Sequence, residues 1–252
     1  MSSSRYLMKK SIDYPYLISA KELLRNKVVP RYDFHIHTNY TDGKATVGQV
    51  FEKALEFGLE AIAFTEHTEA WHNSDPEWFS QYCNEIRKCR EIFKGKIKAF
   101  IGIEAPAISF NGDLGASDEM IEQAEFILGA AHRYPGIEGR KVSELGKNEA
   151  IDLEFRTLMG LTTNPMINSI AHMGGTCSKY CTPFPAHLMR EVIRQAVKNN
   201  IAIEINPVYH QPLKNFIELC AEENANITLG SNAHGFNDIG MIVRKIKDEI
   251  LT

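Results

Sequence analysis

No apolar run in this chain approaches the roughly 18 residues that a membrane-spanning helix requires. The opening Met1–Lys10 stretch is basic but leads into no apolar segment of signal-peptide length. A cytoplasmic protein with no membrane partner is the expectation. Cysteine is sparse and unpatterned: Cys83, Cys89, Cys177, Cys181 and Cys220 are odd in number and contain no C-x-x-C pair. That argues against a thiolate zinc site or a dithiol redox motif and predicts free thiols. Nor is there an excess of charge of one sign. The 28 Lys and Arg against 32 Asp and Glu leave a formal charge of −4, interleaved along the chain with no long basic block. Such a surface is not built to hold a nucleic-acid backbone. A small anionic substrate would need positive charge supplied locally, most simply by metal ions.

What is present is a regular alternation. Short runs rich in Val, Ile, Phe and Ala occur at Arg31–Ile36, Glu60–Thr65, Ile97–Glu104, Glu125–Ala131, Ile167–Ala171, Ile201–Asn206 and Asn226–Ser231. Between them lie segments of helical period, clearest at Val47–Phe57, Pro76–Phe93, Ala186–Asn199, Leu213–Glu223 and Asp238–Ile250. Strands such as Ala61-Ile62-Ala63-Phe64 are apolar on both faces, as expected when helices cover a parallel sheet. The 252 residues are 44% hydrophobic, which suits a single β/α barrel. The first thirty residues, punctuated by Pro15 and Pro30, precede the first strand and read as an N-terminal arm or cap with a short helix over Ala20–Asn26. Residues 31–252 form the expected barrel domain.

Six of the nine histidines fall in or just after predicted strand ends: His35 and His37, His67, His132, His172 and His234. In a parallel barrel all strand C-termini open on one face, so these imidazoles converge there. Glu104 ends the third strand, Asp42 lies in the loop after the first, and Asn232 stands two residues before His234. Imidazole mixed with carboxylate suits Zn, Mn or Fe, with Mg also admissible, and two or three such ions can activate a water and clamp a phosphoryl group. His35, His37, Glu104 and His132 are the expected catalytic core. Arg133, Lys179 and His210 are the candidate substrate contacts, near the mouth. His72 and His187 read as surface residues, and Trp71, Trp78, Phe79 and Tyr82 as one packing cluster. Glu204, on the sixth strand, needs a partner if buried, and orienting a metal ligand is one role open to it.

The set Tyr32-Asp33-Phe34-His35-Ile36-His37-Thr38 with Thr41-Asp42-Gly43, Thr65-Glu66-His67, Gly102-Ile103-Glu104, Gly129-Ala130-Ala131-His132, Ile170-Ala171-His172 and Ser231-Asn232-Ala233-His234 resembles the motifs of the polymerase and histidinol phosphatase (PHP) family, in order. The resemblance covers about residues 31–252. It implies a distorted seven-stranded (β/α)7 barrel and a trinuclear metal centre. One ion would be held by His35, His37, Glu104 and residue 232. Glu104 would bridge to a second with His132 and His172, and Asp42, His67 and His234 would hold a third. The family's chemistry implies phosphoester hydrolysis of a small phosphorylated metabolite or nucleotide by metal-activated water. Glu66 stands where the family has Asp, and so does Asn232, whose amide is a neutral and weaker ligand. Asn232 keeps open a catalytically impaired binding or regulatory module, and histidine-rich barrels also admit hydrolysis of C–N bonds.

Overall fold

In the computed structural model, residues 16–137 and 139–250 are described. Seven strands, β2 (Tyr32–Ile36), β3 (Ala61–His67), β4 (Lys98–Pro106), β5 (Phe126–Ala130), β6 (Ser169–Ile170), β7 (Ala202–Ile205) and β8 (Asn226–Leu229), run parallel in that order. All seven coincide with predicted strands, although β6 is only two residues long. An eighth strand, β1 (Ile18–Ser19), pairs antiparallel with β8, so the expected count of seven is corrected to eight. Two residues carry no periodicity, which is why this strand had no sequence signal. The sheet curls until β2 meets the chain beyond β8. There the His37 N–H donates to the Ala233 carbonyl and the Ala233 N–H to the His35 carbonyl, at 2.9 and 3.0 Å.

Helices α1 (Ala20–Asn26), α2 (Val47–Glu56), α3 (Trp78–Ile92), α4 (Asp118–Gln123), α5 (Lys147–Leu161), α6 (Gly175–Tyr180), α7 (Ala186–Lys198), α8 (Leu213–Glu222) and α9 (Met241–Ile250) complete the described chain, with a 3₁₀ turn at Val142–Glu144. Helix α1 lies where the sequence places it. The first fifteen residues of the expected arm fall outside the described residues, whereas Ile18, Ala20 and Leu23 are buried in the same apolar core as the barrel. Helix α5 was not foreseen. Its buried stripe contains Glu154 and Thr157 beside Ala150, Leu158 and Leu161, so the apolar period is interrupted by polar residues.

The barrel interior is divided by height. Its foot is filled by rings: Phe34 lies 5.4 Å from Phe100 and 5.2 Å from Phe126, with Tyr16 and Tyr32 against it. Each such ring contributes roughly 2–3 kcal/mol by leaving water, and the dry plug closes that end. The buried histidines gather with Glu104 at the other end, where the strands finish. No helix among the described residues is long and apolar enough to cross a membrane.

Glu154 is the exception within the helical layer. Its Oε2 accepts from Tyr134 Oη at 2.5 Å and from the Cys177 N–H at 3.1 Å, and burial pushes its carboxyl up to about 7 despite those bonds. The folded state therefore binds a proton more readily than the unfolded chain. The associated stability is full below about pH 4.5 and is lost as pH rises through about 7, on the order of 3 kcal/mol at 1.4 kcal/mol per unit. Glu154→Gln, which keeps an acceptor without the titration, should flatten the fall in thermal stability over that window. An unaltered curve of melting temperature against pH would remove the assignment.

Candidate metal centre

Strand β2 brings two imidazoles to the interior through an irregularity. Asp33 pairs with Ile62 and Ile36 with Phe64, so one extra residue is inserted between them. In an undistorted strand Phe34 and His35 would face opposite sides. Here Phe34 packs on Phe100, while His35 Nε2 lies 3.3 Å from Glu104 Oε2, and Phe100 and Glu104 share one face of β4. The bulge thus turns the strand from plug to site. His37 follows on the site face.

Glu104, fully buried, is the hub. Its Oε2 lies 3.3 Å from His35 Nε2, 3.6 Å from His37 Nε2 and 3.2 Å from His67 Nδ1. Its Oε1 lies 3.1 Å from His132 Nε2 and 2.7 Å from His172 Nε2. The Asn232 side-chain oxygen is 3.2 Å from His37 Nε2, which is itself 3.1 Å from His35 Nε2. Four donors at 2.0–2.1 Å around one cation would stand about 3.4 Å apart, so these separations suit a shared ion. Toward the mouth, Asp42 lies 3.3 Å from His234 Nε2 and 3.5 Å from His67 Nε2. The residues implied by the sequence resemblance lie in one cluster, but the structure divides them differently: His37, Asp42, His67 and His234 share one locus, His35, Glu104 and His172 a second, and His67, Glu69 and His132 a third.

Tautomers are fixed from behind. His35 Nδ1–H donates to Glu204 Oε1 at 2.6 Å, and Glu204 Oε2 accepts the His172 N–H at 2.6 Å. His132 Nδ1–H donates to Glu69 Oε1 at 3.1 Å, and His234 Nδ1–H to the Asn232 carbonyl at 2.9 Å. In the neutral ring each bond leaves an Nε2 lone pair facing the cavity, the usual arrangement behind metal-bound imidazole, so a cation entering there would displace the proton that Glu104 otherwise holds on His132. Gly230 makes room for one of them, since a Cβ there would sit 2.1 Å from Glu204 Oε1. Glu66, longer than the Asp of the motif, accepts from the Thr38 N–H at 2.7 Å and from the Thr41 hydroxyl, and so holds the loop that carries Asp42.

The charges are mutually dependent. Burial raises the Glu104 carboxyl, but His132, His35 and His172 outweigh it and hold it well below the usual range. Burial disfavours charge on His132, yet Glu104 and Glu69 push it up to about 10. His37, buried and crowded by His67, His234 and His35, is lowered well below the ordinary imidazole value. Four buried side-chain atoms here have no hydrogen-bond partner among the described residues: His37 Nδ1, His67 Nδ1, Glu69 Oε2 and Glu104 Oε2. An unsatisfied buried polar atom costs about 1–3 kcal/mol. Four in one place, all nitrogen or carboxylate oxygen, fit a site whose partners are divalent cations.

The cavity above, about 290 Å³, is lined by these groups together with Arg133, Lys179, His72, Trp71, Tyr180 and Tyr209. Arg133 rests over the Trp71 ring at 4.5 Å, and Lys179 over Tyr180 at 5.0 Å. His210 does not reach the cavity, correcting its expected contact with substrate. Both its nitrogens are spent on main chain, accepting from the Asn206 N–H and donating to the Met173 carbonyl at 3.1 Å each, and its ring stacks on Phe216. Conversely, His72 stacks on His67 at 4.2 Å and lines the cavity, so it is not the surface residue expected; His187 is exposed. Trp78, Phe79 and Tyr82 are buried on α3 as expected, but Trp71 stands 61% exposed at the mouth. Glu69 was missed outright. Its signal was the H-x-E spacing from His67, which repeats the same-face logic of His35 and His37.

Fold and polar cluster together define a barrel hydrolase with candidate divalent-metal sites at its strand ends. More narrowly, residues 33–208 match the PHP domain, and the chain belongs to that family. It is similar to a probable phosphatase of Acetivibrio thermocellus, 26% identical over 85% of this chain and 84% of that one. A probable phosphatase of Caldicellulosiruptor bescii is 27% identical over 82% and 80%. The fold is shared with histidinol phosphate phosphatase of Lactococcus lactis, solved with zinc, L-histidinol and phosphate: TM-score 0.68 at 21% identity, covering 89% of this chain and 94% of that one.

Glu69→Gln should weaken metal affinity about 10–100-fold, since a neutral amide is a weaker acceptor for the His132 Nδ1–H and leaves the ring less basic. The melting temperature in chelator should stay put. Competition titration against a chelator reads the first and calorimetry the second; unchanged affinity would leave Glu69 with no part in the centre.

Proposed function

We propose that this protein is a metal-dependent phosphoesterase that hydrolyses a small phosphorylated metabolite or nucleotide. The observation that carries the reading is Glu104, a buried carboxylate whose two oxygens serve separate imidazole sets beneath a cavity rimmed by Arg133 and Lys179. Two or three divalent ions are proposed, zinc by analogy with the Lactococcus lactis structure, with manganese, iron or magnesium as substitutes. His35, His37, Glu104 and Asn232 would hold the first, Glu104, His132 and His172 the second, and Asp42, His67 and His234 the third. Bound there, such ions polarise phosphoryl oxygens and lower the pKa of water enough for attack at neutral pH.

The protein's own groups do the rest. Arg133 presents a fork of donors to the phosphoryl oxygens, held in place by its stacking on Trp71. Lys179 adds a second positive charge at the rim. Glu69 and Glu204 keep His132 and His35 in the tautomer whose Nε2 is turned to the metal positions. L-histidinol phosphate is one candidate ester among several.

Asn232 is the observation behind a second reading, an impaired binding module. It sits at φ +52°, a left-handed conformation that Asp also tolerates, with its side-chain oxygen turned to His37. Asn232→Asp should therefore fold normally and change phosphatase turnover by no more than about tenfold, the low end of what one altered contact at a metal site does. Activation by orders of magnitude would instead mark the native chain as impaired. Elemental analysis paired with a screen of phosphorylated metabolites in Mn, Zn and Mg should find bound metal and phosphate release. Ammonia release in place of phosphate would favour C–N hydrolysis. His132→Ala should lower turnover by at least about 100-fold, the loss that even outlying partners of a metal can reach, with the fold intact by circular dichroism. Wild-type rates in that variant would overturn the site.

A further inference from the structure

Three aromatic side chains stand exposed among the described residues, Trp71, Tyr180 and Phe236, and all three follow strand ends, after β3, β6 and β8. The other large exposed apolar side chains, Val28, Ile92, Ile108 and Val208, are aliphatic. Trp71 is 61% exposed, whereas the second tryptophan of the chain, Trp78, is buried in α3. Trp71 and Tyr180 both line the metal cavity. Neither belongs to the apolar core of the barrel or to the half-buried layer against it, so packing does not account for an aromatic ring at either place. One face of Trp71 carries the Arg133 guanidinium at 4.5 Å. His72 meets the ring only at a tilt, with 5.9 Å between centroids. The protein therefore keeps a broad apolar ring in water at the mouth of its site, with room for a second planar group against it.

We propose that Trp71 determines specificity as a platform: its open face stacks a planar base carried by the leaving group, so that nucleoside monophosphates are preferred over esters of the same sugar without a base. The proposal rests on the phosphoesterase reading above and adds the substrate class. Arg133 joins the two halves of such a ligand, since the edge of its guanidinium presents donors to phosphoryl oxygens while its flat face lies on the indole. In a nucleoside monophosphate the base stands one sugar away from phosphorus. A phosphate gripped by that fork therefore leaves the base beside the indole. Stacking there takes apolar area of both rings out of water and adds the offset contact that aromatic faces favour. Every base has such a face, so the platform distinguishes ring from no ring rather than one base from another.

Adenosine 5′-monophosphate and ribose 5-phosphate share sugar and phosphate and differ by the base. On the metal-loaded protein, kcat/KM should be higher for the nucleotide by about tenfold or more, the scale of one base stacked on an aromatic ring. In Trp71→Ala the ratio of the two should collapse toward one. Any loosening of Arg133 in that variant slows both esters alike and cancels from the ratio. Trp71→Phe, which retains an aromatic face, should retain part of the preference. Tryptophan fluorescence separates the two claims, because Trp78 is only 7% exposed. The nucleotide should quench the Trp71 emission, ribose 5-phosphate should quench it less, and Trp71→Phe should lose the response. Quenching by the nucleotide without phosphate release from either ester sustains the platform and overturns the phosphoesterase reading. Hydrolysis of both esters at equal kcat/KM, or a preference that survives Trp71→Ala, overturns the platform and leaves the phosphoesterase reading standing. Equal quenching by both ligands, or none by either, also overturns the platform.

Discussion

A fully buried carboxylate cannot stay ionised in a protein interior unless positive or polarisable partners compensate for its lost hydration. Glu104 meets that demand with five imidazoles, from the ends of β2 and β3 and the loops after β5 and β6. Everything near it serves the same balance. Glu204 and Glu69 supply negative charge behind His35 and His132, and His37 Nδ1, His67 Nδ1 and Glu104 Oε2 are buried with no aligned hydrogen bond among the described residues, although Glu104 Oε2 has three imidazole nitrogens within 3.6 Å. The arrangement is a site preorganised for cations, because divalent charge bound there would offset this dense set of imidazole and carboxylate lone pairs.

The rest of the barrel makes such a site tolerable. The ring plug around Phe34 keeps the opposite end dry and rigid, so polar strain is confined to one rim. Strained backbone gathers there too: His172 has φ +21° and Asn232 φ +52°. Departures of this kind persist where surrounding structure over-determines them. At His172 the over-determination is visible, since its N–H is fixed by the carboxylate of Glu204. The β2 bulge belongs with them, as it converts a plug-facing strand into a ligand-facing one within one residue.

Legibility varied with the kind of signal. The strands announced themselves because each is apolar on both faces, and the principal site residues because a parallel sheet sends every strand end to one rim. Helix α5 stayed hidden because Glu154 and Thr157 occupy its buried stripe, and β1 because two residues hold no period. His210 misled for a physical reason: its position just beyond β7 suited a rim residue, but its two nitrogens are satisfied by the Asn206 and Met173 backbones. Nothing local distinguishes a loop histidine that turns inward to main chain from one, such as His72, that turns into the cavity.

The sequence by itself determined the parallel β/α order, the convergence of His35, His37, His67, Glu104, His132, His172 and His234, and membership of a metal-binding hydrolase family. These are consequences of period and strand-end position, which are local properties. Tertiary structure alone decided which nitrogen of each ring faces the cavity, and that Glu69 and Glu204 stand behind the ligands. Those depend on side-chain direction and on contacts between residues far apart in the chain, as between His35 and Glu204, 169 positions apart, and no window of sequence contains both partners of such a bond.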